Sequence, residues 1–314
     1  MLKYILKRLA RSIITLLIVV SLVFVLMRQM PITGYFPNYD HMSQEAIQNG
    51  LHQMGLDLPI YQQLFNFLKA FVTKGSLGTS YVYRDQVPVT EVLAPKWPIS
   101  VKLGLMAIAL ALVIGLPLGT FMAQHKSGLV DKIGNAFIIL IQAVPAAVYF
   151  LLIQIYATEA FKLPLTFKDA EPKTWILPIF SLALPNISYY AMWLRRYMVD
   201  ESTKDYVKLA EIKGLSKRKI MFRHVFRNAF VPLGQYLPTT LLNTVVGSIY
   251  VESLYSIPGM GGLLVDVVKR QDNSMVQAIV MLFAAVGIVG LILGDVMMSL
   301  LDPRISFTGK KGGR

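Results

Sequence analysis

The 314-residue chain has no cysteine, which excludes disulfides, zinc thiolate sites and thiol chemistry. Its four histidines, His41, His52, His125 and His224, are scattered without metal-ligand spacing, and His224 suits a helix-surface contact better than a ligand. No G-x-x-x-x-G-K-[ST] run occurs, so no nucleotide is held in a P-loop of this chain. A Gly-x-Ser-x-Gly turn and a paired-acid hydrolase motif are missing too. Charge is scarce: 16% of residues are charged against 54% hydrophobic, and acids are the rarer sign, 18 against 31 Lys and Arg. So apolar a chain, with its charges clustered, belongs in a membrane. Much of the net charge of +13 flanks apolar runs, which signals topology and not a nucleic-acid surface.

What the chain has instead is long charge-free stretches. Six of them, at 12–27, 103–124, 133–158, 174–194, 228–251 and 273–294, predict an all-α polytopic membrane protein with six transmembrane helices. The first is short, and flanking Arg8, Arg11 and Arg28 are expected to extend towards the interfaces. It follows a basic start without a small-x-small cleavage site, so it reads as an uncleaved helix. Six spans place both termini on one side. Lys3, Lys7, Arg8 and Arg11, a central basic island, and Arg304, Lys310, Lys311 and Arg314 share that side, which the positive-inside rule makes cytoplasmic. The expected division is 1–30 for the N-terminal segment and first helix, 31–98 outside, 99–302 for the membrane domain including a cytoplasmic loop at 195–232, and 303–314 for a basic tail.

The external segment carries helix signals at 43–54 and 59–72 and a Gly-rich turn at 75–80. It could be a docking surface, a gate element or a cover packed on the membrane part. Pro258, Gly259, Gly261 and Gly262 break the chain before a short external or re-entrant helix. Within the spans Asp295 is the exceptional ionisable group, near the cytoplasmic end, which argues against an ion-coupled pump. Gln142, Asn186 and Asn243 are candidate pathway-lining residues. For each of them, as for Gln154 and Ser188, an interhelical hydrogen bond is the commoner use of such a residue.

The central island at 205–232 holds the densest pattern. From Arg195 to Arg227 it sets ten Lys and Arg against Asp200, Glu201, Asp205 and Glu211. Ser202 and Asp205 have capping-box spacing; Tyr206, Val207, Ala210 and Ile212 are expected mainly on one side of the helix they open, with Lys204, Lys208, Glu211 and Lys213 mostly on the other. Gly214 supplies the left-handed residue that ends this helix, and Ser216 caps a second from Lys217 to about Ala229. Ala210, small among large neighbours, would let the first helix sit close to a partner. A solvated basic loop and a nucleic-acid-binding helix-turn-helix are the other readings, the latter without a soluble domain to support it.

The island resembles the cytoplasmic EAA loop of ATP-binding-cassette importer permeases, and its form is similar to that of the peptide-importer branch. Asp205, Tyr206, Val207, Ala210, Lys213, Gly214, Leu215, Ser216, Ile220, Arg223, His224, Arg227, Asn228, Ala229 and Pro232 fit that form. Further likeness lies in the opening Y-I-L-K-R-L, in G-L-D-x-P at 55–59, G-S-L-G-x-S at 75–80, V-E-S-L-Y-S-I-P-G-M-G at 251–261 and L-L-D-P-R-I at 300–305, which resemble the first of the two permease subunits. Lys208 and Leu209 depart from the Glu and first Ala of the generic loop, and residues 30–33 lack the Gly-Asp-Pro often found after the first span.

The resemblance implies a type I importer permease fold in the bacterial plasma (inner) membrane. It implies partners as well: a second homologous permease, two cytoplasmic ATPase subunits that bind ATP and Mg, and an external peptide-binding protein. The short helix of the loop would dock in a groove of the ATPase. No cofactor is expected in this chain, and it is not expected to be an enzyme. Nickel chelates, glutathione or another small solute are alternative cargoes, and a non-transporting scaffold or sensor is the alternative class.

Overall fold

The computed structural model describes residues 2–246 and 248–301. Helix α1 (Leu2–Arg28) opens the chain; α2 (Gln44–Gln53), capped by Ser43, and α3 (Ile60–Lys74), ended by left-handed Gly75, follow where the sequence predicts helices. Two short strands, β1 (Thr79–Ser80) and β2 (Val87–Pro88), pair antiparallel with Ser80 opposite Val87. Then come α4 (Val89–Leu93), α5 (Trp97–Gln124), α6 (Leu129–Ala143), α7 (Ala146–Leu152), a π turn (Ile153–Ala157), α8 (Thr158–Phe161) and α9 (Lys173–Ser202). The second half holds α10 (Asp205–Ile212), α11 (Lys217–Ile220), a second π turn (Met221–Phe226), α12 (Arg227–Val246), α13 (Ile249–Leu254), α14 (Met260–Lys269) and α15 (Asn273–Leu301).

Among the described residues, three helical stretches are long and apolar enough to cross a membrane: Leu9–Arg28, Trp97–Gln124 and Asn273–Met298. A fourth counts if the pair Leu129–Ala143 and Ala146–Phe161, bent by 107°, is one span. The stretch expected to cross at 133–158 is therefore bent and not one straight helix. Val144, held extended at φ −86° and ψ 131° before Pro145, ends α6 because the proline ring disfavours a helical residue in front of it. The stretches expected at 174–194 and 228–251 lie in helices, but Pro178, Pro185, Pro232 and Pro238 with interspersed polar residues leave them less apolar. The last of these does not run to 251, since α12 ends at Val246 and α13 begins at Ile249.

The main core lies where α5 crosses α9. A Cβ on Gly119 would stand 2.6 Å from the Ala191 carbonyl oxygen, and Ala107, Ala111, Ala183 and Ala191 are buried. Small residues let these backbones approach, as packing between apolar helices requires. A second core joins Val89, Val92 and Leu93 to Met260, Leu263, Val267, Met275 and Ile279, so the segment between α1 and α5 has no separate core and packs onto α14 and α15. The tail at 303–314, with its basic residues, lies outside the described residues.

Candidate functional site

The α10 region is built around two buried side chains. Val207 and Ala210, each 5% exposed, belong to the main core together with Ile220, Val225 and Ala229. Ala210 is thus used for packing within its own chain and is not presented to a partner. Ile212, expected on the same side, is 83% exposed, and Leu209 is 52% exposed. At about 100° per residue, two positions carry Ile212 roughly 200° around the helix from Ala210.

The expected capping box is not formed either. Because α9 continues through Ser202, that hydroxyl donates back to the Val199 carbonyl at 2.7 Å, and Lys204 occupies the N-cap of α10 without a side-chain bond. Asp205 instead accepts from Lys208 at 3.0 Å and sits in the first turn, where the helix dipole favours an anion. Tyr206 donates to Glu201 at 2.5 Å. Burial, with the Glu201 carboxylate beside it, pushes the Tyr206 hydroxyl up to about 12, while a bond with Asn228 works the other way. These contacts fasten α10 to both α9 and α12.

The turn that follows is as the sequence predicts. Gly214 has φ +73°, its N–H donates to the Glu211 carbonyl at 2.9 Å, and Leu215 N–H reaches the Ala210 carbonyl at 3.2 Å, the paired bonds of a glycine-ended helix. Ser216 Oγ accepts from Lys219 N–H at 3.4 Å. The second helix does not stop near Ala229 but runs through the π turn into α12. Asp205, Lys213, Gly214, Ser216, Arg223, Arg227 and Asn228 are exposed; Leu215 and His224 are half-buried. Ser216, Arg218, Lys219, Phe222 and Arg223 line an open groove of about 460 Å³. Leu209, Ile212 and half-exposed Phe222 are exposed apolar side chains in a segment rich in Lys and Arg.

The pathway candidates stand on three helices. Asn186 on α9 donates to the Leu182 carbonyl at 3.1 Å and reaches Thr244 Oγ1 at 3.4 Å, next in sequence to exposed Asn243 on α12. Gln142, also exposed, lies on α6 against Met192 of α9. Gln154 is buried and donates to the Leu254 carbonyl at 2.8 Å, which makes it a structural tie. Unforeseen is an aromatic ladder along α9, where Tyr189, Trp193 and Tyr197 follow one another at 6.4 and 5.5 Å; its i, i+4, i+8 spacing was the available signal.

Three carboxylates outside any predicted site are structural centres. Asp131 on α6 takes a two-point bond from Arg195 on α9, at 2.6 and 2.7 Å. Glu252, fully buried, accepts from Ser100 at 2.6 Å, Ser248, Gly261 N–H at 2.7 Å and Gly262 N–H at 3.1 Å. Asp272, equally buried, gathers Ser80 Oγ and the N–H groups of Tyr81, Val82, Tyr83 and Met275. Donors distant in sequence, Ser100 and Ser80, draw Glu252 and Asp272 inside. Arg28, at the end of the α1 apolar stretch, is held by protein groups. It lies over the Phe24 ring at 4.4 Å, donates to Gln63 at 2.7 Å and bonds Tyr35.

Residues 115–307 match the family described as Binding-protein-dependent transport system inner membrane component, and residues 1–104 match its N-terminal companion, Binding-prot-dependent transport system membrane comp, N-term. The chain is 31% identical over 306 residues to the dipeptide transport system permease protein DppB of Lactococcus lactis subsp. cremoris, covering 97% of this chain and 99% of that one. It is 32% identical over 314 residues to DppB of Bacillus subtilis, covering 99% and 100%. The oligopeptide transport system permease protein OppB of Haemophilus influenzae is 31% identical over 309 residues, 98% and 100% of the two chains.

Proposed function

Because the chain belongs to the binding-protein-dependent transport system inner membrane components, we propose that it is one permease subunit of an ATP-driven importer of dipeptides or oligopeptides. Likeness over nearly the whole length to dipeptide and oligopeptide permeases carries the cargo assignment. Six segments cross the membrane in this proposal: α1, α5, the broken α6–α8, α9, α11–α12 and α15. Both termini are cytoplasmic.

A second permease completes the pathway, lined on this side by Asn186, Asn243 and Gln142. An external binding protein delivers the peptide, and two cytoplasmic ATPases hold ATP and Mg. The exposed side of α10, with Leu209, Ile212 and Phe222 of the following turn, sits in the ATPase groove. When the ATPases close on nucleotide, α10 moves with them. Its buried side and the Tyr206–Glu201 bond transmit that displacement to α9 and α12.

The test is reconstitution with the second permease, the ATPases and the binding protein in vesicles. Labelled peptide should enter only with ATP on the ATPase side, and entry should survive collapse of the proton gradient. Uptake abolished by an uncoupler at constant ATP would refute ATP-driven import; uptake of nickel chelates or glutathione in place of peptide would refute the cargo.

A further inference from the structure

Helix α3 lies outside the expected spans, yet its outward side carries an apolar stripe that nothing in the described chain covers. Tyr61, Phe65 and Val72 are 70, 65 and 80% exposed, with half-buried Leu68 between the last two. Steps of four, three and four residues put them on one face of the 15-residue helix. The other side is fastened. Gln63 is buried, donates to the carbonyls of Leu56 and Leu58 at 2.9 and 2.7 Å, and accepts from Arg28. Phe67 packs against Phe24 with ring centres 5.5 Å apart.

That last contact sets the depth of α3. Phe24 belongs to the membrane-crossing stretch Leu9–Arg28, and at about 1.5 Å per residue it stands roughly 6 Å inward from the end of that stretch. A helix packed on Phe24 lies where the hydrocarbon gives way to headgroups. α1 is nearly bare, with 6% of its apolar stretch buried, and exposed Leu22, Leu26 and Met30 continue its lipid-facing surface up to this level. Charge agrees. α3 contains no acid, while Lys69 and Lys74 are exposed, so ammonium groups are available to phosphates while the rings take the apolar boundary.

We propose that α3 is an interfacial helix and that its partner is the phospholipid leaflet at the C-terminal end of α1, with Tyr61, Phe65 and Val72 sunk to the acyl boundary and Lys69 among the phosphates. The proposal rests on α1 spanning the membrane, and not on the cargo or on the ATPase contact. The segment between α1 and α5 is then tied to the bilayer as well as to α15.

The absence of cysteine makes the test direct. Single cysteines Gln62→Cys, Phe65→Cys, Val72→Cys and Thr73→Cys carry nitroxide labels in the full importer, with cysteine-free partners, in phosphatidylethanolamine–phosphatidylglycerol vesicles. Power saturation should show a severalfold higher ratio of oxygen to aqueous nickel-chelate accessibility at 65 and 72 than at 62 and 73. An unlabelled Phe65→Trp variant should be quenched by lipids brominated near the headgroup, which checks that the label itself does not cause insertion. Equal nickel access at all four positions would place the stripe in water and overturn the proposal. Protection of 65 and 72 from both reagents, with or without loaded binding protein, would overturn it in favour of a protein partner. Depth is measured without transport, so a failed uptake assay leaves the outcome readable.

Discussion

Ala210 and Ile212 stand two positions apart on α10 and face opposite environments, 5% and 83% exposed. Ile212→Asp should leave the amount and stability of the protein unchanged while reducing co-purification of the ATPases and peptide uptake. An unpaired charge in a desolvated contact costs on the order of 2–5 kcal/mol. Wild-type ATPase binding by that variant would show that this side of α10 is not the docking surface. Ala210→Asp instead buries the charge in the core of its own chain, at about 3–5 kcal/mol, so its melting temperature should fall before any partner is added. A Cβ at Gly214 would meet no atom within 4 Å, so the positive φ is what Gly214→Val strains, at about 1–3 kcal/mol. A small loss of melting temperature, with docking kept in the folded fraction, is the expected result.

A second residue pair gives a pH dependence. The hydrogen bond that His52 Nδ1 donates to Asp57 holds His52 above the ordinary imidazole range, and the same bond holds Asp57 below the usual carboxylate range. The contribution of His52 is complete below its unfolded value and fades as pH rises through the raised one. That of Asp57 is complete above its unfolded value and fades as pH falls through the lowered one. Asp57→Asn should therefore move the His52 midpoint down, read by NMR titration; an unmoved midpoint would mean that the pair is not formed in solution.

Close backbone approaches and a buried carboxylate join helices of this chain, so variants there should act on whole elements. Gly119→Val places a branched side chain against the Ala191 carbonyl and must separate α5 from α9; little folded protein should be recovered after detergent extraction, since overpacking costs roughly 1–3 kcal/mol or more. Asp131→Asn keeps the shape but leaves Arg195 without its carboxylate, about 3–5 kcal/mol for a largely buried pair. Replacing both, as Asp131→Asn with Arg195→Gln, should recover part of the loss in a double-mutant cycle. Additive losses would show that the two side chains do not interact. For the close approach of Gly115 and Gly119 to Ile187 and Ala191, the four-residue spacing of the two glycines was the available signal. The Asp131–Arg195 pair was not legible in the sequence, because 64 residues separate its members and only the crossing of α6 and α9 unites them.

At the scale of the whole molecule the proposed topology can be tested with single cysteines. Ser43, Lys168 and Gln271 are exposed on the side predicted to be external, Ser127 and Ser216 on the side predicted to be cytoplasmic. An impermeant thiol reagent added to intact cells should label cysteines at the first three positions and spare the other two. Gln271 serves here because neighbouring Asn273 is only 2% exposed and donates to the Pro31 carbonyl at 3.0 Å. Labelling at 216 from outside would invert the arrangement and remove α10 from any cytoplasmic ATPase.

Composition and charge placement alone established a membrane protein without thiol chemistry, because hydropathy and residue counts are additive properties of the string. Local chemistry was readable at the turns, though not at the Ser202–Asp205 box. Gly75, Gly214 and Ser216 end or start helices through bonds to residues three to five positions away, and such bonds depend on little beyond their own segment. The side that α10 turns outward, the bend at Pro145, the burial of Glu252 and Asp272 and the seat of α3 on Phe24 were decided by the tertiary structure. Each depends on which distant backbone N–H, hydroxyl or ring comes to lie opposite, and that partner is chosen by how the helices cross.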